Sequence, residues 1–280
     1  MTDIVGRVME IRRYPVKSMA GELLSSVAVD ALGIAGDRRI AVRDLETGKV
    51  VSAKQPKHAA LLGCTAQLDH DELVVTMPDG RRFGADQRSE LDAALSSLLG
   101  RPVRLDAATG DDGVYESYWP EIEGVVLSDV TLDFPVAMAT GKGTFVDLAA
   151  LHVVANSSLE RLQALAPEST ISVDRFRPGI LVDGGSTDAF VENDWADRTA
   201  TIGSAVIAFS TDANVASRGI YLLSFLPESD VDRIVDYAVA NGKRSFAAML
   251  PDNAIDWAFG ETLAFGSLLL EKRVVRLAGQ

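Results

Sequence analysis

The sequence of 280 residues contains one cysteine, Cys64, and only three histidines. A single cysteine excludes an internal disulfide and a zinc site built from several cysteines. Long apolar runs are also lacking, since none approaches the ~20 residues that a membrane-spanning helix needs. Basic residues are scarce: 27 lysines and arginines stand against 40 aspartates and glutamates, which gives a net charge of −13. This balance argues against nucleic-acid binding, because phosphate backbones attract basic surfaces.

The remaining composition is that of an ordinary globular protein, with 47% hydrophobic and 24% charged residues. The length predicts one large domain or two of ordinary size, with an ample core. Residues 1–13 mix charged and apolar side chains, unlike a secretory signal peptide. We therefore expect a cytoplasmic protein that binds neither membranes nor nucleic acid.

Short apolar segments between glycine-containing turns predict a mainly β fold with flanking helices, of the α+β class. A glycine-, aspartate- and aromatic-rich stretch at 106–125 is the best candidate for a domain boundary, so we predict domains over 1–125 and 126–280. Ser89 is expected to cap a helix that Gly100 ends. The predicted strands lie at 4–12, 27–30, 40–44, 50–54, 61–68, 73–77, 103–105, 151–155, 180–183 and 205–209, with two more in 261–277, and the predicted helices at 89–99, 157–165 and 231–239.

The segment Asp174-Arg175-Phe176-Arg177-Pro178-Gly179 places two arginines around one aromatic ring. In an extended strand alternate side chains share a face, so both arginines would point the same way. Two guanidinium groups on one face suit an anion, because each presents a planar fork of donors. The alternative is an exposed strand whose arginines pair with acids elsewhere, and the local pattern leaves both interpretations open.

Two other segments carry groups that could contact an anion. Lys17 and Ser18 are predicted in a turn after an extended segment, where a solvated loop is the simpler interpretation. Asn156 or Ser157 is expected to cap a helix, and the free N–H groups at a helix start attract negative charge. His152, in the apolar strand before that helix, is more typical of a core histidine than of a ligand or a catalytic group.

Five segments in this order resemble those of MOSC-domain proteins. That family is related to the C-terminal domain of molybdenum-cofactor sulfurase and to the amidoxime-reducing molybdoenzymes. The resemblance extends over nearly the whole chain, and it implies an N-terminal β-barrel-like domain followed by a MOSC β-barrel domain. The segments are Tyr14–Ser18, Gly36–Arg39, Leu151–Leu159, Arg175–Pro178 and Glu192–Trp195.

In that family these segments build a basic cleft between the two domains, which binds the phosphate and pterin of the molybdenum cofactor. The resemblance implies that Glu192 and Trp195 support such a cleft here. Asp37, His152 and Glu192 are candidates for proton transfer, together with the tyrosines near 115–118, and the sequence does not rank them. The cofactor-binding residues implied by the resemblance are Lys17, Ser18, Arg38, Ser157, Arg175, Arg177 and Arg218.

The sequence departs from the family pattern in two places. Gly179 stands where the family has asparagine, and Gly219 follows Arg218 where the family has a cysteine that ligates molybdenum or accepts sulfur. Gly219 has no side chain and can do neither. Cys64 lies in an apolar segment typical of an inert core cysteine. A carboxylate such as that of Asp212 can bind a transition metal, but it is not a soft thiolate.

The sequence therefore predicts a MOSC-fold protein that binds a small anion in a basic inter-domain cleft, as a diverged enzyme without redox chemistry. No metal ligands are predicted, and the molybdenum cofactor is implied by the resemblance alone. One alternative is a molybdenum-cofactor oxidoreductase of the amidoxime-reducing type, which would need a redox partner. Another is a non-catalytic protein that binds or carries the cofactor.

Overall fold

Strands dominate the computed structural model, which describes residues 3–110, 112–118, 131–137, 142–147, 149–185, 191–195, 198–210, 261–264, 268–271 and 274–277. The predicted mainly β class with flanking helices is confirmed. No helix within these ranges is long and apolar enough to cross a membrane.

The helices are α1 (Arg88–Leu99), α2 (Asn156–Leu165) and α3 (Val173–Phe176), with 3-10 helices at Pro56–Gly63, Ala85–Gln87 and Val191–Trp195. The strands are β1 (Asp3–Arg13), β2 (Glu22–Leu24), β3 (Ser26–Asp30), β4 (Gly33–Ile34), β5 (Ile40–Asp44), β6 (Thr65–Asp69), β7 (Glu72–Thr76), β8 (Arg82–Phe83), β9 (Val103–Ala107), β10 (Val114–Tyr118), β11 (Thr131–Pro135), β12 (Leu151–Ala155), β13 (Ile180–Asp183), β14 (Thr199–Ile202), β15 (Ala205–Ser210), β16 (Glu261–Ala264), β17 (Leu268–Glu271) and β18 (Val274–Leu277).

The first strand closes a barrel that is otherwise made from the second half of the chain. β1 pairs with β13 along one edge and with β18 and β2 along the other. The strand order β13-β12-β16-β15-β14-β18-β1 therefore returns to β13, and the sheet closes on itself. Ile11, Ile180, Ile202 and Ile207 are fully buried in the barrel core. Closure removes the exposed sheet edges at which chains aggregate.

A second hydrophobic core lies among β5–β9 and α1. We call the segment that contains these elements, residues 40–107, the N-terminal unit. Leu91 and Leu95 of α1 pack there against Leu61 and other apolar side chains. The helix ends as predicted at Gly100, whose φ of 65° is left-handed. It begins at Arg88, so Ser89 lies within its first turn and does not cap it. The predicted domain boundary falls within residues 119–130, outside the described residues, and stays a prediction.

The strands predicted at 50–54, at 61–68 and in the tail 261–277 need correction. Residues 50–54 form no strand, only isolated bridges from Val50 to Arg43 and Tyr115. Residues 56–63 form a 3-10 helix, because Pro56 fixes a helical φ at its first position, and the next strand begins at Thr65. The tail contains three strands where two were predicted. The helix predicted at 231–239 lies outside the described residues.

Candidate functional site

The pairing of β1 with β13 determines where the candidate site lies. Ile11 pairs with Ile180, and the Arg12 amide donates to the Gly179 carbonyl at 2.8 Å. In an antiparallel pair each step forward on one strand is a step back on the other. Continuing this register brings Tyr14 beside Arg177, whose guanidinium carbon lies 4.4 Å from the centre of the tyrosine ring.

A second arginine packs on the same ring. The guanidinium carbon of Arg38 lies 4.8 Å from the Tyr14 ring centre, and its Nη2 donates to the Arg177 carbonyl at 3.2 Å. Asp37 accepts from the Tyr14 amide at 2.6 Å and pairs with Arg38. We call Tyr14, Asp37, Arg38 and Arg177 the arginine–tyrosine cluster. Cation–π contact and a buried carboxylate hold both arginines in place.

The segment around Arg175 and Arg177 is not the predicted strand. Residues 173–176 form a helical turn, and Arg177 follows it with a left-handed φ of 52°. Backbone bonds to Ser172 and Val173 close this turn, and no local alternation of residue types reveals them. Arg175 is exposed, whereas Arg177 is half-buried and donates to the Met19 carbonyl. No contact among the described residues joins Arg175 to the cluster, so its binding role stays a prediction.

Backbone strain is concentrated at this site. Six non-glycine residues in the described ranges have positive φ, and three of them are Ser18, Arg38 and Arg177, at 67°, 46° and 52°. A left-handed conformation costs a non-glycine residue about 1 kcal/mol or more. Such strain persists where surrounding contacts impose it, and it is found most often at functional sites.

Two lysines share one carboxylate next to this cluster. Lys17 donates to the Phe145 carbonyl at 3.0 Å and pairs with Asp147, and Lys54 lies 3.2 Å from the same carboxylate. Both ammonium groups lie 4.7 Å from the centre of the Tyr115 ring, and Lys54 donates to its hydroxyl at 3.1 Å. We call Lys17, Lys54, Tyr115 and Asp147 the lysine–tyrosine cluster. Sequence reasoning missed Lys54, because its partners are remote in the chain.

The two clusters are joined through the backbone and affect each other electrostatically. The Phe145 amide donates to the Arg38 carbonyl at 2.7 Å. Burial lowers the pKa of Lys17 to about 8, although Asp147 opposes this, and Lys54 and Arg38 lower it further. Burial and the charge of Arg38 lower the pKa of Arg177 to about 10. Positive charge is therefore crowded at this site.

The crowding leaves an excess of positive charge. The two clusters contain four cationic side chains and two carboxylates, an excess of two positive charges. Burial raises the pKa of Tyr14, so its hydroxyl is neutral. Arg177 Nη2 is buried and has no hydrogen-bond partner within the described part of the chain. The buried Tyr14 hydroxyl lies beside the Arg12 guanidinium, which can only donate, so the hydroxyl keeps its own proton to donate. An anion with several acceptor oxygens would neutralise the charge and accept from both groups.

A small pocket of about 10 Å³ adjoins the arginine–tyrosine cluster. Its volume corresponds to roughly one water molecule. Asp37, Arg38, His152 and Gly179 all line it. Asp37 and His152, which were both predicted for proton transfer, are therefore brought together at one pocket, and Glu192 does not line it.

Glu192 instead holds the start of α2. Its carboxylate accepts from the Ala155 amide at 2.6 Å and from the Ser158 hydroxyl, and burial raises its pKa. The predicted cap is wrong, since α2 begins at Asn156 without a side-chain cap. The Ser157 hydroxyl is buried without a partner among the described residues, and no described contact links it to the clusters. Its role as a ligand residue stays a prediction.

Of the other predicted residues, the structure describes Ser18 and Trp195 but not Arg218. Ser18 accepts from the Ala53 amide at 3.0 Å, which fixes the loop beside Lys17. Trp195 packs in the barrel core, with its ring centre 5.3 Å from that of Phe209. Residues 218 and 219 lie outside the described residues.

The residues of the two clusters fit the phosphate group of the molybdenum cofactor better than its metal. The excess positive charge suits a phosphate group. The sole cysteine, Cys64, is fully buried in the core around α1, and burial raises the pKa of its thiol to about 11. Cys64 therefore offers no thiolate to a metal. Within the described ranges, no group of three or more His, Cys, Asp or Glu residues could hold a metal ion.

Packing favours a glycine at position 179. A Cβ atom at this position would lie 2.8 Å from Ile34 Cδ1 and 3.0 Å from Leu151 Cδ1. These apolar side chains occupy the space that the asparagine of the family pattern would need. The positions of Ile34 and Leu151 beside the adjoining pocket therefore agree with a glycine at 179 in place of the family's asparagine.

Comparison with known proteins identifies two domains. Residues 5–114 match the model of the MOSC N-terminal beta barrel domain, and residues 140–214 match the model of the MOSC domain. The solved structure of the YuaD protein from Bacillus subtilis aligns over 100% of this chain and 98% of its own, with a TM-score of 0.42 and 8% identity.

A short local match was found among curated proteins. The mitochondrial 2-oxoglutarate dehydrogenases of Caenorhabditis briggsae and Caenorhabditis elegans are 69% identical to this chain over 32 residues, 11% of its length. The chain spans only 3% of the length of these enzymes, so the match assigns it no activity.

We expect Gly179→Asn to destabilise the protein, because the added side chain overlaps Ile34 and Leu151. Overpacking a core costs about 1–3 kcal/mol, which urea denaturation monitored by fluorescence would measure. Ile34→Ala in the same chain should recover part of this loss, and Ile34→Ala alone provides the reference for the double-mutant cycle. A Gly179→Asn variant as stable as the parent would show that the space is open.

Proposed function

The chain belongs to the MOSC-domain family, with an N-terminal MOSC β-barrel domain before its MOSC domain, and from that membership we propose that it binds a small anion at the two clusters. The observation that carries the proposal is the excess of two positive charges beside Arg177 Nη2, which has no partner among the described residues, and beside the Tyr14 hydroxyl, which keeps a proton to donate. Buried charge without compensation is costly. A bound anion would supply the missing compensation.

A phosphate monoester is the ligand class that suits these groups best. Its charge approaches −2 at neutral pH, which balances the excess. Its three terminal oxygens can accept from a guanidinium fork and from an ammonium group at once. In this arrangement Arg177 and Tyr14 donate through their buried groups, and Lys17 contributes its positive charge from the side of Asp147.

A pocket that Asp37 and His152 line adjoins this phosphate site and has room for about one water molecule. We assign Asp37 an orienting role, because its two oxygens are engaged by the Tyr14 amide and the Arg38 guanidinium. His152 is then the better candidate for moving a proton to or from the ligand. Glu192 supports α2 and takes no part in this step.

We further propose that this chemistry does not use a thiolate bound to molybdenum. Gly219 has no ligand atom, and the buried Cys64 cannot replace it. When bound, the molybdenum cofactor would supply oxygen-atom and electron transfer, and the cationic clusters suit its phosphate. The oxidoreductase and carrier alternatives therefore differ from the proposal in metal content and in turnover.

Metal and pterin content distinguish these functions. In a host that makes the cofactor, we expect the purified protein to contain molybdenum far below one atom per chain, because no thiolate is available to hold it. Mass spectrometry of the metal and fluorescence of the oxidised pterin measure both. One molybdenum per chain would overturn the non-redox proposal, and pterin without turnover of any phosphate ester would favour the carrier.

We expect Arg177→Met to weaken binding of phenyl phosphate at least about tenfold, because a charge-assisted hydrogen bond is lost. Thermal stability should change little, because the variant removes a buried cation repelled by Arg38 but also its contacts with Met19 and Tyr14, and the left-handed backbone remains. The NMR signal of His152, which lines the adjoining pocket, reports binding.

The matched control is Arg175→Met, which removes the same charge from an exposed position two residues away. Its effect on affinity should stay within about twofold, as for a screened surface charge. If both variants bind phenyl phosphate as the parent does, the anion site is not at the arginine–tyrosine cluster.

Binding of phenyl phosphate should also weaken as the pH rises through about 8. Lys17 is charged below its lowered pKa of about 8 and loses its proton above it, so its attraction for an anion is present at pH 7 and largely lost by about pH 9, below the pKa of about 10 of Arg177. The ligand does not titrate here, since its second pKa is about 6. Lys17→Arg keeps its charge over this range. An unchanged pH profile in Lys17→Arg would contradict the role of Lys17.

A further inference from the structure

A second pocket, of about 120 Å³, lies in the N-terminal unit and extends to Glu116 of β10. None of the residues that line it belongs to either cluster, so it is separate from the site described above. The cations Lys49, Lys57 and Arg101 face it together with His58 and the carboxylates of Asp44 and Glu116, and Lys49 pairs with Glu116. Both acids and cations therefore meet around one cavity.

His58 presents a hydrogen-bond acceptor at this pocket. Its side chain is buried, with 5% of its surface exposed, and Nδ1 lies 3.3 Å from the Ser52 carbonyl. A carbonyl oxygen can only accept, so Nδ1 carries the proton and Nε2 has a free lone pair. Burial and the neighbouring Lys57 lower the pKa of His58, which keeps the ring neutral. Nε2 is buried and has no partner among the described residues.

The cations of the pocket have donors to spare. Arg101 pairs with Asp44 through Nη1, and Lys57 lies 3.1 Å from Glu116. A guanidinium group has five N–H donors and an ammonium group three. The remaining donors of both side chains have no protein partner in the described part of the chain.

We propose that this pocket binds a small anion that also carries a hydroxyl group. The hydroxyl donates to Nε2 of His58, and the anionic oxygens accept from Arg101 and Lys57. The volume suits a molecule of a few heavy atoms, since pockets for drug-sized ligands begin near 300 Å³. Hydroxy acids and phosphorylated polyols share this chemistry.

The proposal is tested by titrating the full chain with glycerol 3-phosphate, methyl phosphate, glycerate and glycerol while the three histidine signals are followed by NMR. Glycerol 3-phosphate has both groups, whereas methyl phosphate lacks the carbon hydroxyl and glycerol lacks the charge. We expect the His58 signal to respond to glycerol 3-phosphate at about tenfold lower concentration than to methyl phosphate, the effect of one added hydrogen bond to a buried acceptor. The exposed His70 is the reference.

Titration with glycerate shows whether the anionic group of the ligand is a carboxylate or a phosphate. A response to glycerate at lower concentration than to glycerol 3-phosphate assigns the pocket to hydroxy acids, and the reverse assigns it to phosphorylated polyols. Equal responses to methyl phosphate and glycerol 3-phosphate, or a response of His58 no larger than that of His70, would overturn the proposal.

Two variants test separately the contact with the ligand hydroxyl and the contact with its anionic group. His58→Asn keeps a donor near the Nδ1 position and removes Nε2, so the tenfold preference for glycerol 3-phosphate should disappear, as read from the amide signal of Thr47 at the pocket. Lys57→Met, at a half-exposed position, should weaken both phosphates equally. A preference retained in His58→Asn would also overturn the proposal.

Arg177→Met separates this site from the one at the clusters. The His58 response should be unchanged in that variant even where the His152 response is lost. Failure of one site therefore leaves the other testable. Loss of both responses in Arg177→Met would show that the His58 signal reports the clusters and that the second site does not exist.

Discussion

The structure depends on one strand that joins the two ends of the chain. β1 closes the barrel against β13 and β18, and its register with β13 is what brings Tyr14 to Arg177. A slip of one residue would turn Tyr14 to the opposite face and separate it from both arginines. Gly6 permits the close approach, because a Cβ there would lie 2.3 Å from the Asp183 carbonyl oxygen. Fold closure and site geometry therefore follow from the same hydrogen bonds.

Several features of the site lower the stability of the folded protein. Arg177 adopts a left-handed backbone, lies near Arg38 and has a lowered pKa. Lys17 is buried beside a second lysine, and its pKa is lowered as well. A protein selected for stability alone would replace such groups with apolar side chains of similar volume. Their presence on strained turns, held by Asp37 and Asp147, is what the proposed anion site would explain.

Much of the fold could be predicted from the sequence, because local patterns determine it. The apolar run 151–155 and the leucine spacing that follows predicted β12 and α2 correctly. Capping failed at α2, since Glu192 reaches its start from a distant segment. Arg175 and Arg177 were expected on one face because alternation assumes a strand, and backbone bonds instead close a turn. Lys54 was missed, because its contacts with Tyr115 and Asp147 depend on tertiary structure alone.

Anion binding and metal chemistry are separable in this architecture. The groups that would hold an anion come from the exit of β1, the turn before β5, residues 144–147 and the turn before β13. The position where the family pattern has its cysteine, Gly219, belongs to a different segment of the chain. Gly219 offers no side-chain ligand atom, whereas backbone bonds join Tyr14, Arg38 and Phe145 at the clusters. Ile34 and Leu151 pack into the space beside Gly179, so this side of the pocket differs from one built around the asparagine of the family pattern.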